Sequence, residues 1–384
     1  MAQARVGLVG AGFIAATHLE AIRLTDNLSV AAVIDPNLNA AERLAHKAPG
    51  ARAFASLAEA IAAKAIDRVH VLVPPQHHKS VAAVALNAGL PTLVEKPLAV
   101  SAVEAAELSQ LARERKVKLG VNQNFMFDPD VTRFANELAA GKYGRLRHVS
   151  AVCAVPLRQL AARQFGHWMF ERPSNIILEQ MVHPLSQLVR LLGPLTVTSA
   201  TAKPPMELGP GLQFHQAFDV SFSAASGTAQ LHMAFAEAYP AWQLNCLCDD
   251  GLIVVDAGRH QLIRYGRTRF LEQGDTALVS ARAGASQIRQ ATTGVATYLA
   301  AQLKLTRRSD AFFRSMLASI QSFHRAVDNA ATPTADGALG DHLGLKPRFG
   351  PLRRRPRAAQ VDDAPDLVRA ARGNESFGSL RIHF

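Results

Sequence analysis

From Val6 to Gly120, short apolar runs alternate with stretches of helical periodicity. Val6–Val9, Leu28–Ile34, Val69–Val73, Thr92–Val94 and Lys118–Val121 read as strands. Phe13–Leu24, Leu57–Ala65, Ser80–Ala88 and Ala102–Arg115 read as helices. Nearly continuous apolar strands alternating with helices predict a parallel sheet covered on both faces. After about Asn124 the texture changes. Candidate strands at Arg147–Val155, Thr196–Ala202, His215–Phe222, Thr228–Ala234, Trp242–Cys248, Leu252–Val255 and His260–Tyr265 follow one another with few helices between them. That pattern predicts an open, mainly antiparallel sheet. A helix is expected near Ala311–Val327, and from Thr332 onward Pro, Gly and Arg dominate and periodicity fades. The expected division is 1–123, 124–335 and a basic tail over 336–384, in an α/β chain without internal repeats.

Composition narrows the class without naming a function. Of 384 residues, 48% are hydrophobic and 19% charged, which fits a globular protein with a buried core. Three cysteines do not make a disulfide framework; Cys246 and Cys248 lie two apart on an expected strand and read as core thiols. A reduced, cytoplasmic setting follows. No stretch reaches the roughly 20 apolar residues that span a bilayer, so no membrane partner is expected. The net charge is +11, but six of those positive charges fall between Lys346 and Arg357. The basic character is partly that of the tail and does not imply nucleic-acid binding.

The first strand runs directly into Gly10-Ala11-Gly12-Phe13-Ile14-Ala15, which opens a helix. Gly10 permits the tight turn, Gly12 lets backbone approach a pyrophosphate, and Ala15 keeps helix and sheet close. Phe13 and Ile14 place N–H groups of the helix start toward that anion. Asp35 ends the next strand, 23 residues after Gly12. A carboxylate there accepts hydrogen bonds from the adenosine ribose and repels a 2′-phosphate, favouring NAD over NADP. The expected fold of this half is a Rossmann doubly wound sheet.

Glu95-Lys96-Pro97 stands at the carboxyl end of one expected parallel strand and Val73-Pro74-Pro75-Gln76-His77-His78 at the end of another. Ligands bind at that edge of such sheets. Together with the glycine turn, these segments resemble the Gfo/Idh/MocA family of NAD(P)-dependent oxidoreductases. Pro74, Pro75 and His78 match its proline-and-histidine segment, with Val73 where a threonine is usual, and Glu95, Lys96 and Pro97 match its "EKP" motif. Asn124 falls where the family passes to its second domain, and Asp328 to Gly337 resembles the loop after its late helix. The resemblance places Lys96 near the nicotinamide and the reacting carbon, and puts Pro74, His78, Glu95 and Asn124 around the cofactor.

It also implies a catalytic helix carrying an acid and a histidine four apart, matched by Glu179 and His183. On a regular helix those positions share a face one turn apart. His183, with an ordinary pKa of about 6.5, suits proton transfer near neutrality; Lys96 would stabilise an alkoxide, and Glu179 would orient its partners. Glu179 replaces the usual aspartate, and Pro184 directly follows His183. Either the helix begins near His183 with Pro184 in its first turn, or it kinks there.

Fourteen histidines show no HxxxH or CxxC spacing, so no metal site is expected. The cluster Phe165, His167, Trp168, Met169 and Phe170 reads either as the lining of a substrate pocket or as core. The activity expected is hydride transfer between NAD and a secondary alcohol or ketone of a sugar, cyclitol, glycoside or related small molecule. The resemblance adds a homodimer or homotetramer formed through the open sheet. Two other classes fit the same residues: a redox-assisted lyase or glycosidase, and a non-catalytic nicotinamide or metabolite sensor.

Overall fold

The computed structural model describes residues 3–329, except 237, 238, 267, 269, 271, 304, 306, 307 and 309, together with 380–382. The Arg353–Arg357 run and most of the loop that begins at Asp328 lie outside the described residues.

Along the first part of the chain run β1 (Ala4–Val9), α1 (Phe13–Arg23), β2 (Leu28–Ile34), α2 (Leu38–Ala45), β3 (Arg52–Phe54), α3 (Leu57–Ala62), β4 (Arg68–Val71), α4 (His78–Asn87), β5 (Thr92–Glu95), α5 (Ala102–Arg115) and β6 (Leu119–Asn122). The six strands are parallel in the order β3-β2-β1-β4-β5-β6, the doubly wound order expected from the alternation. Val6, Leu8, Val69, Val71, Leu93 and Val94 are buried because helices cover both faces of the sheet. The order reverses between β1 and β4, and the crevice beyond their carboxyl ends is where this architecture takes ligands.

Next come α6 (Pro129–Ala139), β7 (Leu146–Ala154), α7 (Arg158–Ala161), a π-helical turn at Ile177–Met181, α8 (Val182–Leu192), β8 (Leu195–Ala202), β9 (Met206–Gly209), β10 (Leu212–Phe214), β11 (Ala217–Ser223), β12 (Thr228–Ala234), β13 (Ala241–Cys248), β14 (Gly251–Asp256), β15 (Gln261–Gly266), α9 (Glu272–Gln302), α10 (Ala311–Asp328) and β16 (Leu380–Ile382). The second sheet has the order β15-β14-β13-β7-β12-β11-β8-β16, and all its pairs are antiparallel except β7 with β12. β16 adds an edge strand from a segment read in sequence as tail. Cys153, Cys246 and Cys248 are buried free thiols in this sheet's core.

The chain divides into two compact units, Met1–Phe127 with the segment from Phe312, and Asp128–Ala311 with the segment from Ala358. In the first unit, Phe313, Met316, Ile320 and Phe323 form one face of α10 and pack into the cluster that holds Val6, Leu8 and Leu93. In the second unit, α9 was not expected. It covers the edge strand β15, where Gln290 accepts from the Leu262 N–H (2.9 Å) and donates to the Leu262 carbonyl (3.1 Å). No described helix is long and apolar enough to cross a membrane.

A charged cluster ties α6 to β15. Arg264 donates to both oxygens of Glu137 (2.6 and 2.7 Å), and the Tyr143 hydroxyl donates to the same carboxylate. Burial pushes the Glu137 carboxyl up, but these partners outweigh it and bring it from 4.5 to about 2. A carboxyl lowered on folding stabilises the fold above its ordinary value, and that contribution is lost as the pH falls from about 4.5 toward 2. Glu137→Gln is expected to cost about 2 kcal/mol at pH 7 and clearly less at pH 3, as read by urea unfolding. An equal cost at both pH values would contradict the assignment.

Candidate functional site

The glycine turn is built for close backbone approach. Gly10 has φ +105°, and a Cβ there would meet the Leu72 carbonyl carbon and oxygen at 2.8 Å. Gly12 is the N-cap of α1 and makes no side-chain cap hydrogen bond. A Cβ at Gly12 would meet nothing within 4 Å. A helix start with no side-chain cap, above open space, is an anion cradle. Phe13, 93% exposed, stands on its rim with Ile14 half-buried beside it.

Asp35 follows β2 and holds this turn directly. Its carboxylate accepts from the Ala11 N–H at 2.9 Å and from the Asn37 N–H at 2.8 Å. Each carboxylate oxygen keeps lone-pair capacity for a further donor such as a ribose hydroxyl. The residues present therefore fit a dinucleotide with an unphosphorylated adenosine ribose.

At the same sheet edge, β5 ends in Glu95 and continues into Lys96, followed by a cis peptide to Pro97. Glu95 accepts from the His18 ring at 2.7 Å and from the Asn122 amide at 2.6 Å. Burial raises its carboxyl, yet the His18 and Asn122 hydrogen bonds and the Lys96 charge hold it below the ordinary carboxylate value. His78 turns inward while His77 stays exposed. Its Nδ1 faces the Pro97 carbonyl at 2.7 Å and its Nε2 the Val73 carbonyl at 2.8 Å. Burial lowers its pKa while the two carbonyl acceptors oppose that shift, and the ring ties the Pro74 loop to the Lys96 loop. Pro74 is exposed, and the buried Asn124 donates to Ser315 of α10 at 3.3 Å.

In the second unit, helical winding is continuous over 175–192, and the π-helical turn at Ile177–Met181 runs directly into α8 at Val182, so Pro184 lies inside the helical run just after the winding changes. The helix therefore does not begin near His183, and the interruption expected at the proline takes the form of the change of winding in front of it. The π-helical turn immediately before it contains Glu179. Glu179 and His183 thus belong to two differently wound segments, and the regular one-turn alignment does not hold across the junction. Glu179 accepts from the Trp168 indole at 3.1 Å, and Asn175 donates to the Trp168 carbonyl at 2.7 Å. His183 is 7% exposed, and its carbonyl accepts from the Ser186 hydroxyl at 2.6 Å. The aromatic cluster divides between the two readings. Met169 and Phe170 are core, whereas Phe165 lines an open cavity of about 700 Å³ with Leu160, Arg163, Leu208 and Phe235.

Motif reading missed the groups that hold Glu95. His18, His70 and Asn122 are wholly buried polar residues on α1, β4 and β6. Polar side chains at core positions were the available signal.

The family described as an oxidoreductase family with an NAD-binding Rossmann fold matches residues 4–123. An inositol 2-dehydrogenase of Corynebacterium glutamicum is 38% identical over 146 residues, covering 37% of this chain and 43% of the relative. The rhizopine catabolism protein MocA of Rhizobium meliloti is 33% identical over 39% of this chain and 47% of its own length. Each match spans less than half of the relative. An oxidoreductase from Agrobacterium radiobacter, solved with NAD+, L-tartaric acid and magnesium, superposes with a TM-score of 0.68 at 16% identity, over 89% of this chain and 94% of that one. That likeness shows a shared fold. Over residues 4–123, the stretch that carries the uncapped glycine turn, Asp35 and the Glu95-Lys96-Pro97 edge, the chain matches the Gfo/Idh/MocA oxidoreductase family model.

Proposed function

We propose that the protein is an NAD-dependent oxidoreductase. It would move a hydride between nicotinamide and the carbinol or carbonyl carbon of a sugar, cyclitol, glycoside or related polyol. The observation that carries this reading is one sheet edge that bears the uncapped α1 N-terminus, Asp35 and the Glu95–Lys96 pair. Similarity over 146 residues to an inositol 2-dehydrogenase supports a polyhydroxylated substrate.

When bound, the cofactor accepts or returns the hydride. The chain's own residues do the rest. Backbone N–H groups of the Gly10–Ala15 turn hold the diphosphate, and Asp35 accepts from the ribose hydroxyls and repels a 2′-phosphate. The Lys96 ammonium stabilises the negative charge that grows on the substrate oxygen as its proton leaves. We assign His183 as the group that takes that proton, with Glu179, held by Trp168, orienting its neighbours. An assembly of two or four copies fits the open face of the second sheet. Val152, Leu247 and Tyr265 stand on that face, and Leu247 is half exposed.

The test uses purified protein at near-stoichiometric concentration with NAD and a panel of inositols, sugars and glycosides. Reduced-nicotinamide absorbance is followed together with product mass. Absorbance rising in step with a two-hydrogen mass loss is the expected result. Altered product mass without net absorbance change would overturn net dehydrogenation in favour of redox-assisted elimination.

A further inference from the structure

Three buried histidines join Glu95 in one unbroken line of hydrogen bonds inside the first unit. His18 of α1 meets Glu95 Oε1 through Nε2 at 2.7 Å and His70 Nδ1 of β4 through Nδ1 at 2.9 Å. His70 Nε2 meets His324 Nε2 of α10 at 3.0 Å, and His324 Nδ1 meets Arg68 Nη1 at 2.9 Å. The other arm of Arg68 donates to Asp328. His18, His70 and His324 are 0%, 0% and 2% exposed. The described residues contain no group of three or more metal-ligating side chains, so the rings face one another and not an ion site.

The two ends of this line fix every proton between them. A guanidinium only donates, so His324 accepts at Nδ1 and, when neutral, carries its proton on Nε2. That proton makes His70 an acceptor at Nε2 and a donor at Nδ1. His18 then accepts at Nδ1 and donates from Nε2 to Glu95, which as a carboxylate only accepts. One arrangement satisfies all four bonds with three neutral rings. An extra proton on any ring would pass the conflict along until two N–H groups faced each other at Arg68. Burial, the largest cause, holds His70 well below the ordinary histidine value, in agreement with a neutral ring at that position. Arg68 does not release a proton near neutral pH, so the line does not conduct protons from Asp328.

We propose that the Arg68–His324–His70–His18 line is a positioning device for Glu95. It keeps the carboxylate charged and aimed, and through it fixes the Lys96 ammonium. The ionisable groups facing the line are His18 from α1, Arg68 and His70 from β4, Glu95 and Lys96 from β5, and His324 and Asp328 from α10. From β6 it meets the neutral Asn122 amide. The inference rests on the role proposed for Lys96 but has a readout that needs no turnover.

That readout is ¹⁵N NMR of histidine-labelled full-length protein at pH 7. His18 and His324 are expected neutral with the proton on Nε2, and His70 neutral with the proton on Nδ1, the less common tautomer. A proton on His70 Nε2, or an imidazolium among the three, would overturn the proposal. Arg68→Met removes the obligate donor and lets the line take a proton. Its kcat is expected to fall about 10- to 100-fold with KM and NAD affinity nearly unchanged, and the acid limb of kcat to move to higher pH. Arg68→Lys retains an obligate donor and restores the wild-type limb. An Arg68→Met profile that coincides with wild type would also overturn it. Should wild type show the expected tautomers and no dehydrogenation at all, the reading of Lys96 fails while the line stands.

Discussion

Lys96→Met is expected to lower kcat by about 10³-fold or more while leaving NAD affinity nearly unchanged. Methionine keeps most of the side chain's length and volume and removes its charge. In the proposed mechanism the charge is what matters, because a substrate oxygen losing its proton gains negative charge. NAD affinity is set mainly elsewhere, by the α1 N-terminus and by Asp35, whose bonds to Ala11 and Asn37 do not involve β5. Steady-state kinetics with calorimetric NAD titration separates the two effects. Turnover close to wild type would remove Lys96 from the chemistry.

Asp35→Ala is expected to weaken NAD binding about 10- to 100-fold and to bring the NAD/NADP ratio close to unity. Two losses add for NAD: the ribose acceptor, and the carboxylate that fixes the turn through Ala11 at 2.9 Å and Asn37 at 2.8 Å. For NADP the second loss is offset by removal of a negative charge facing the 2′-phosphate. Titration of wild type and variant with both cofactors reads the ratio. An unchanged ratio would show that Asp35 supports the turn without choosing the cofactor.

The first sheet was legible in sequence because its strands are apolar throughout and its helices carry their own boundary signals. Ala102–Arg115 was read at its observed limits, where the Ser101 hydroxyl caps the Glu104 N–H at 3.3 Å. The short β3 and α2 were not, since three residues and eight residues leave little periodicity to read. The 31-residue α9 lacked a single apolar stripe; Ile288, Val295 and Leu299 are all exposed, and one of its anchors to the sheet is the polar Gln290. Motif spacing placed Gly10, Asp35 and Lys96 at the carboxyl edge of the sheet because a turn and two strand ends fix them locally. It did not locate the chain of histidines, since residues 18, 70 and 324 meet only when α1, β4 and α10 pack. The alignment of Glu179 with His183 assumed regular winding, which Pro184 and the π-helical turn replace.

If a hydride leaves a carbinol carbon for nicotinamide, as proposed, the hydrogen itself can be followed. Panel alcohols deuterated at each secondary carbinol carbon are incubated with the protein and NAD, and the label is located by mass spectrometry and NMR. Deuterium is expected on nicotinamide C4 in amounts equal to ketone formed. Deuterium returned to the product carbon, or no label on nicotinamide from any panel compound, would contradict the proposed transfer.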